Sequence, residues 1–197
     1  MMIEQLKKKL AYFQLNRELK SLIRERKSPN IHTGKSIGIL YDASEKQNFE
    51  NMKEFFRDLK ALGKNPVMLG YINQKEVTFH PLARPEADYF YINELNWFEK
   101  PSGRVVQNFV DVSFDILINV STNDHFPLDY IAAASKAGFK VGRANAKTNA
   151  IYDMTLAIDE NADIQTFAYL IVHYLNNLNN QTHAKSQRNR SSHHHTV

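Results

Sequence analysis

The sequence predicts a three-layer α/β fold, in which an open, mostly parallel sheet has helices on both faces and a basic amphipathic helix precedes it. Short apolar runs alternate with amphipathic segments throughout residues 36–178, which is the pattern of an α/β sheet. The segment Phe114–Gly142 is typical of a strand, a polar loop, a helix, a glycine stop and a second strand. Such a unit requires a parallel pair of strands, because two adjacent strands joined through a helix run in the same direction.

The first half of the chain predicts two helices and three strands. The expected helix over Met2–Lys27 ends at Ser28-Pro29, because the residue before proline disfavours helical geometry. Apolar residues in it fall at 3, 6, 10 and 13 and then at 12, 15, 19 and 22, so the stripe drifts near Phe13. The strands are Ser36–Tyr41, Pro66–Ile72 and Tyr89–Ile92; a helix capped by Asp42 or Ser44 and ended by Gly63, and a loop over 73–88, connect them.

The second half predicts three helices and three strands. The helices are Arg104–Val112, Pro127–Ala137 and one capped by Asp163 that runs to 178; the strands are Phe114–Val120, Phe139–Arg143 and Met154–Ile158. Strand order is not readable from the pattern, and we expect either a flavodoxin-like or a half-Rossmann order. The polar residues from 179 onward predict a disordered tail.

Charge divides the chain into three parts that match the expected domain organisation. The net charge is +4, yet residues 1–27 hold eight Lys or Arg against three Glu, and residues 181–197 hold three bases and no acid. We therefore expect a basic helix over 1–27, a single mildly acidic α/β domain over 30–178 and a basic tail over 179–197.

Several classes of function find no support in the sequence. Apolar runs fall short of the about 18 residues that cross a bilayer, and charges interrupt every apolar stretch that a secretory leader would need. The chain has no cysteine, which excludes disulfides and thiolate metal sites and fits a cytoplasmic protein. Asp42-Ala-Ser-Glu after the first strand has no glycine, which argues against a dinucleotide or triphosphate loop. No metal or cofactor is assigned.

Polar side chains gather where the predicted strands end, at the edge where α/β proteins bind ligands. Hydroxyl, carboxylate, imidazole and guanidinium groups there suit an anionic or sugar-like ligand. The competing interpretation is that Ser121, Thr122 and Asp124 only cap the helix near Pro127, and that His125 is solvated or capping. A hydrolase is unsupported, since the Gly-x-Ser-x-Gly elbow is missing. The candidate ligand-binding residues are Asp42, Ser44, Ser121, Asn123, Asp124, His125, Arg143 and Asn145.

The N-terminal helix offers a second candidate surface. A basic amphipathic helix can bind a protein partner, RNA or anionic lipid, or pair with its copy in a homodimer. The plainest alternative is that its stripe covers its own domain while the bases point to water. The candidate partner-binding residues are Lys7, Lys8, Lys9, Arg17, Lys20 and Arg24.

The segment Asn119–Gly142, with the sequence NVSTNDHFPLDYIAAASKAGFKVG, resembles a family of uncharacterised short α/β proteins from Bacteroidetes-type bacteria. The resemblance covers most of residues 1–178. It implies an α/β fold and a bacterial origin, and it carries no catalytic assignment.

Two functional hypotheses follow from these observations. The first is a non-enzymatic cytoplasmic interaction protein that uses its basic helix. The alternative is a domain that binds a small anionic molecule, such as a nucleotide or a sugar phosphate, either as a binding protein or as an enzyme. In it Arg143 and the amides near Pro127 would hold an anionic group, and Asp124 and His125 would transfer any proton.

Overall fold

The computed structural model describes the backbone of residues 2–21, 24–27, 32–75, 86–159 and 161–191. Side chains are described for these residues except 2–5, 8, 18–21 and 178–191. The helices are α1 (Met2–Ser21), α2 (Lys46–Ala61), α3 (Arg104–Asp111), α4 (Phe126–Ala134) and α5 (Ile164–Ser191). The strands are β1 (Ser36–Asp42), β2 (Asn65–Ile72), β3 (Ala87–Tyr91), β4 (Ile116–Asn119), β5 (Phe139–Arg143) and β6 (Met154–Leu156).

The six strands form one sheet in the order β3-β2-β1-β4-β5-β6, and every pair is parallel. This is the doubly wound Rossmann order, so the Rossmann-like alternative is confirmed and the flavodoxin-like one is wrong. The strand order reverses between β1 and β4. The loop after β1 leads to α2 on one face of the sheet, and the loop after β4 leads to α4 on the other face, so a crevice opens between these loops at the carboxyl edge.

Two apolar clusters fill the space between the sheet and the helices on its two faces. One cluster joins Ile37 and Ile39 to Phe55 of α2 and Phe167 of α5. The other joins alternate strand positions such as Leu117 to α1, α3 and α4. The near-continuous burial of β1 and β4 follows from this double coverage.

Helix boundaries depart from the predicted ones where tertiary contacts take over. The first helix ends at Ser21 rather than at Lys27. Beyond it Arg24 and Lys27 bind the turn before β5, with the Lys27 amide donating to the carbonyl of Gly138 at 2.9 Å. The predicted stop at residues 28–29 lies outside the described residues.

The end of α2 and the start of α5 test the predicted helix stop and the predicted helix cap. Gly63 adopts φ 72° just after α2 and confirms the predicted stop. Asp163 accepts a hydrogen bond from the amide of Thr166 at 2.7 Å, which confirms the predicted cap. The backbone of α5 continues to Ser191, whereas the sequence analysis expected disorder from residue 179. Residues 179–191 contain neither glycine nor proline, and nothing in them stops a helix; residues 192–197 lie outside the described part.

Candidate functional site

The carboxyl edge of the sheet brings the loop after β1 against the loop after β4. Nε2 of His125 lies 2.9 Å from Oδ2 of Asp42, and both side chains are largely buried. The ring of Tyr71 meets the imidazole edge-on, with 5.5 Å between the centroids. Burial alone raises the pKa of Asp42, but the hydrogen bonds from His125 and Ser44 outweigh burial and hold this pKa below its ordinary value.

These contacts correct two predicted helix caps. The N-cap of α2 is Glu45, which makes no side-chain capping bond. Asp42 instead accepts from the amide of Ser44 at 2.9 Å and binds His125, while the Ser44 hydroxyl accepts from the amide of Asn73 at 2.9 Å. Both predicted caps are therefore used to join loops: Asp42 binds the loop after β4 across the switch point, and Ser44 binds the loop after the neighbouring strand β2.

The start of α4 is likewise left without a side-chain cap. Its N-cap is His125, and no side chain bonds to the first helical amides in the capping manner. Ser121 donates instead to the carbonyl of Asn123 at 2.9 Å, and the carboxylate of Asp124 binds the side chains of Arg143 and Asn145. The side chains of Ser121 and Asp124 therefore do not act as the predicted caps, whereas His125 occupies the N-cap position without a side-chain bond.

A shallow pocket, with an enclosed volume of about 10 Å³, opens between the ends of β4 and β5. Every residue that lines it is polar, which is unusual for a ligand pocket, since these are mostly apolar. The lining consists of Asn119, Ser121, Asn123, Asp124, Asp129, Arg143, Asn145, Thr148 and Tyr152. Five of the eight predicted ligand-binding residues lie here, whereas Asp42, Ser44 and His125 do not line this pocket.

A buried hydrogen-bond network joins three of the lining residues to one another and to α1. The amide of Asn119 donates to the hydroxyl of Tyr152 at 2.8 Å, and this hydroxyl donates to Oδ1 of Asp129 at 3.1 Å. Tyr12 on α1 donates to Oδ2 of the same carboxyl at 2.8 Å. Burial raises the pKa of Asp129 to about 6, although the hydrogen bonds from Tyr12 and Tyr152 act in the opposite direction.

Sequence reasoning missed most of this network. Asp129 falls in the first turn of α4, where an acid is ordinary because of the helix dipole. Tyr152 lies in a stretch without a period, and Gly142 on β5 gives its ring room: a Cβ there would lie 2.7 Å from the ring. Asn119 gave a weak signal, as a polar residue near the end of the predicted strand Phe114–Val120.

The charge of Arg143 is partly neutralised where it lies. Its guanidinium binds the carboxylate of Asp124, and Nζ of Lys147 lies 3.7 Å from the same carboxylate. The expectation that Arg143 holds an anionic ligand therefore meets a competitor inside the protein. An incoming anion would have to displace Asp124.

The basic residues of the N-terminal segment do not share one face. Lys9 and Arg17 are exposed, whereas Nζ of Lys7 lies 5.1 Å above the ring of Trp97. The side chain of Arg24 is largely buried and pairs bidentately with Asp153, at 2.6 and 2.7 Å. Its placement makes it a structural residue rather than a contact for a partner. The side chains of Lys8 and Lys20 lie outside the described ones.

The fold and the edge pocket together define a doubly wound α/β protein with a polar crevice beside its switch point. The chain belongs to DUF6913, a family of unknown function, whose model matches residues 7–178. No curated protein and no solved structure gives a significant match. Within the described residues, no helix combines the length and the apolar character that crossing a membrane demands.

Proposed function

We propose that the protein binds a small hydroxylated, sugar-like ligand in the pocket between the ends of β4 and β5. The all-polar lining is the observation that carries this proposal. The lining amides belong to Asn119, Asn123 and Asn145, and the hydroxyls to Ser121, Thr148 and Tyr152. Most of these donors bond within the protein, so a ligand would exchange those bonds for its own. A sugar requires this mixture of donors and acceptors, because each of its hydroxyls donates one hydrogen bond and accepts others.

The charge of the pocket supports the same ligand class, whereas its size limits how deeply a ligand can enter. The enclosed volume is about 10 Å³, about the space of one water molecule, so a sugar would lie in the open mouth of the pocket. The lining holds two carboxyl groups and one guanidinium, and the guanidinium is paired with Asp124. This balance favours a neutral polyol over a bare phosphate. A sugar phosphate remains compatible if its phosphate displaces Asp124 from Arg143.

The proposal concerns binding, and it assigns no reaction. Asp42 and His125 form the pair best suited to proton transfer, because a low pKa keeps Asp42 ionised against the imidazole. Neither residue lines the pocket, however.

A thermal-shift screen of monosaccharides, sugar phosphates and nucleotides tests the proposal. A sugar at about 100 times its dissociation constant stabilises the folded state by about 2.7 kcal/mol, which raises the melting temperature by several degrees. Asn123→Ala removes an exposed lining residue and should abolish the shift, whereas Asn108→Ala, an exposed amide on α3, should leave it unchanged. A shift by nucleotides alone, or one that survives Asn123→Ala, would place the ligand elsewhere.

We infer a bacterial, cytoplasmic setting for this function. The inference is supported by the resemblance of residues 119–142 to a bacterial family and by the absence of cysteine. Fractionation of cells that express the chain, followed by immunodetection in each fraction, tests the location. Recovery in an extracytoplasmic fraction would contradict it.

A further inference from the structure

We infer that the outer face of α1 attaches the protein to an anionic lipid surface. Three apolar side chains on this face, Leu6, Leu10 and Phe13, are exposed by 60%, 43% and 68%. Their spacing of four and three residues places them in one row along the helix. We call this row the outer strip.

The opposite face of α1 is already used by the domain. Ala11 and Leu15 are buried in the core, and Tyr12 donates to Asp129 and packs edge-on against Phe126, with 5.0 Å between the centroids. At about 100° per residue, this inner face and the outer strip lie roughly 150° apart. Two apolar stripes on opposite faces of α1 therefore explain why the single stripe expected from the sequence drifts near Phe13. Because the inner stripe fixes the helix, the outer strip is held away from the protein.

The charge around the outer strip selects an anionic occupant. Residues 6–17 contain Lys7, Lys8, Lys9 and Arg17 and no acidic residue. Lys9 and Arg17 are exposed. A symmetric pair of α1 helices would bring the exposed Lys9 and Arg17 together without carboxylates to neutralise them, so a second copy is the poorer occupant.

The combination of apolar and basic groups distinguishes lipid from other anions. An RNA backbone would satisfy the bases and leave the outer strip in water, because phosphate contacts need no apolar area. A bilayer surface takes both, since apolar side chains enter the boundary of the acyl chains while Lys and Arg stay at the headgroup level. The outer strip projects from the domain, so it can enter a lipid surface that has no groove to match it.

Trp97 extends this surface and provides its probe. It is 63% exposed, and Nζ of Lys7 lies 5.1 Å from its ring centroid, so it neighbours α1. Tryptophan is enriched at the boundary between water and lipid because its ring is apolar and its N–H is polar. Since the chain contains one tryptophan, its fluorescence reports on this surface alone.

Vesicle binding by the full-length protein tests the inference. We expect co-sedimentation with vesicles of phosphatidylcholine and phosphatidylglycerol in equal parts, no binding to pure phosphatidylcholine, and a blue shift of Trp97 emission on binding. Added salt should weaken the attachment, because the bases contribute through screened attraction.

Variants distinguish binding through the outer strip from nonspecific adhesion to the vesicles. The double variant Leu6→Ser/Phe13→Ser should reduce partitioning by about tenfold or more with unchanged circular dichroism. The control Leu62→Ser alters a residue of similar exposure, 64%, just after α2, and should bind as the wild type does. Three results would overturn the inference: no binding to the mixed vesicles, equal loss in the control, or a dimer in light scattering that the double variant abolishes.

Discussion

Replacing Asp129 by asparagine tests the electrostatics beneath the pocket. The carboxyl is buried and its pKa is about 6 in the folded protein, against an ordinary value of 3.8. The folded state thus keeps a proton between these pH values that the unfolded chain has released. Wild-type stability therefore falls as the pH rises from about 4 to about 6, by roughly 3 kcal/mol at 1.36 kcal/mol per pH unit.

The carboxamide of the Asp129→Asn variant would remain uncharged throughout this range while keeping an acceptor and a donor for Tyr12 and Tyr152. The stability of this variant relative to the wild type should consequently increase by about 3 kcal/mol between pH 4 and pH 7. Urea denaturation followed by circular dichroism at several pH values measures this difference. Asp111→Asn, which alters an exposed carboxylate on α3, serves as the control. A difference for Asp129→Asn that stays constant from pH 4 to pH 7 would refute the account of the network.

Three further substitutions probe the packing on the same side of the sheet. Gly142→Ala places a Cβ 2.7 Å from the ring of Tyr152 and should lower stability by about 1–3 kcal/mol, seen as a lower melting temperature. Asp153→Asn leaves the largely buried guanidinium of Arg24 without its charge partner and should cost about 3 kcal/mol or more in urea denaturation. Burial lowers the pKa of Lys140 to about 7. Between pH 7 and pH 10 only the unfolded lysine remains protonated, so the stability of the wild type should rise relative to that of Lys140→Met. A stability difference that does not change with pH would contradict this.

The sheet was predictable because its signals are local. The run Ser36–Tyr41 and the unit Phe114–Gly142 carry their own strand pattern, stop residues and connection lengths, and the structure confirms parallel strands in both. Strand order was not predictable to the same degree, because it depends on which strands pair across long sequence separations. The extent of α1 was also missed, since the contacts of Arg24 with residues more than a hundred positions away hold that segment outside a helix.

The position of the candidate site could be predicted from the sequence, but several predicted roles of its residues were wrong. The rule that ligands bind beyond the carboxyl ends of strands placed Asp124 and Arg143 at one edge, where the structure joins them. The same rule did not show that Asp42 and His125 would bind each other, nor that Tyr152 would support the pocket. Hydroxyls and carboxylates in a polar loop look alike in sequence whether they cap a helix, join two loops or face a ligand, because all three roles need the same atoms.

Asp129 connects the two proposed surfaces of this protein. One of its oxygens accepts from Tyr152, which lines the pocket, and the other accepts from Tyr12, which holds α1 by the face opposite the outer strip. We expect a ligand that bonds to the Tyr152 hydroxyl to change the hydrogen bonding of Asp129, and with it the bond from Tyr12 that docks the helix. Any such coupling must act in both directions, because binding at one site alters the free energy of the other by the same amount. The buried carboxyl thereby joins the pocket to the docking of α1 through two hydrogen bonds.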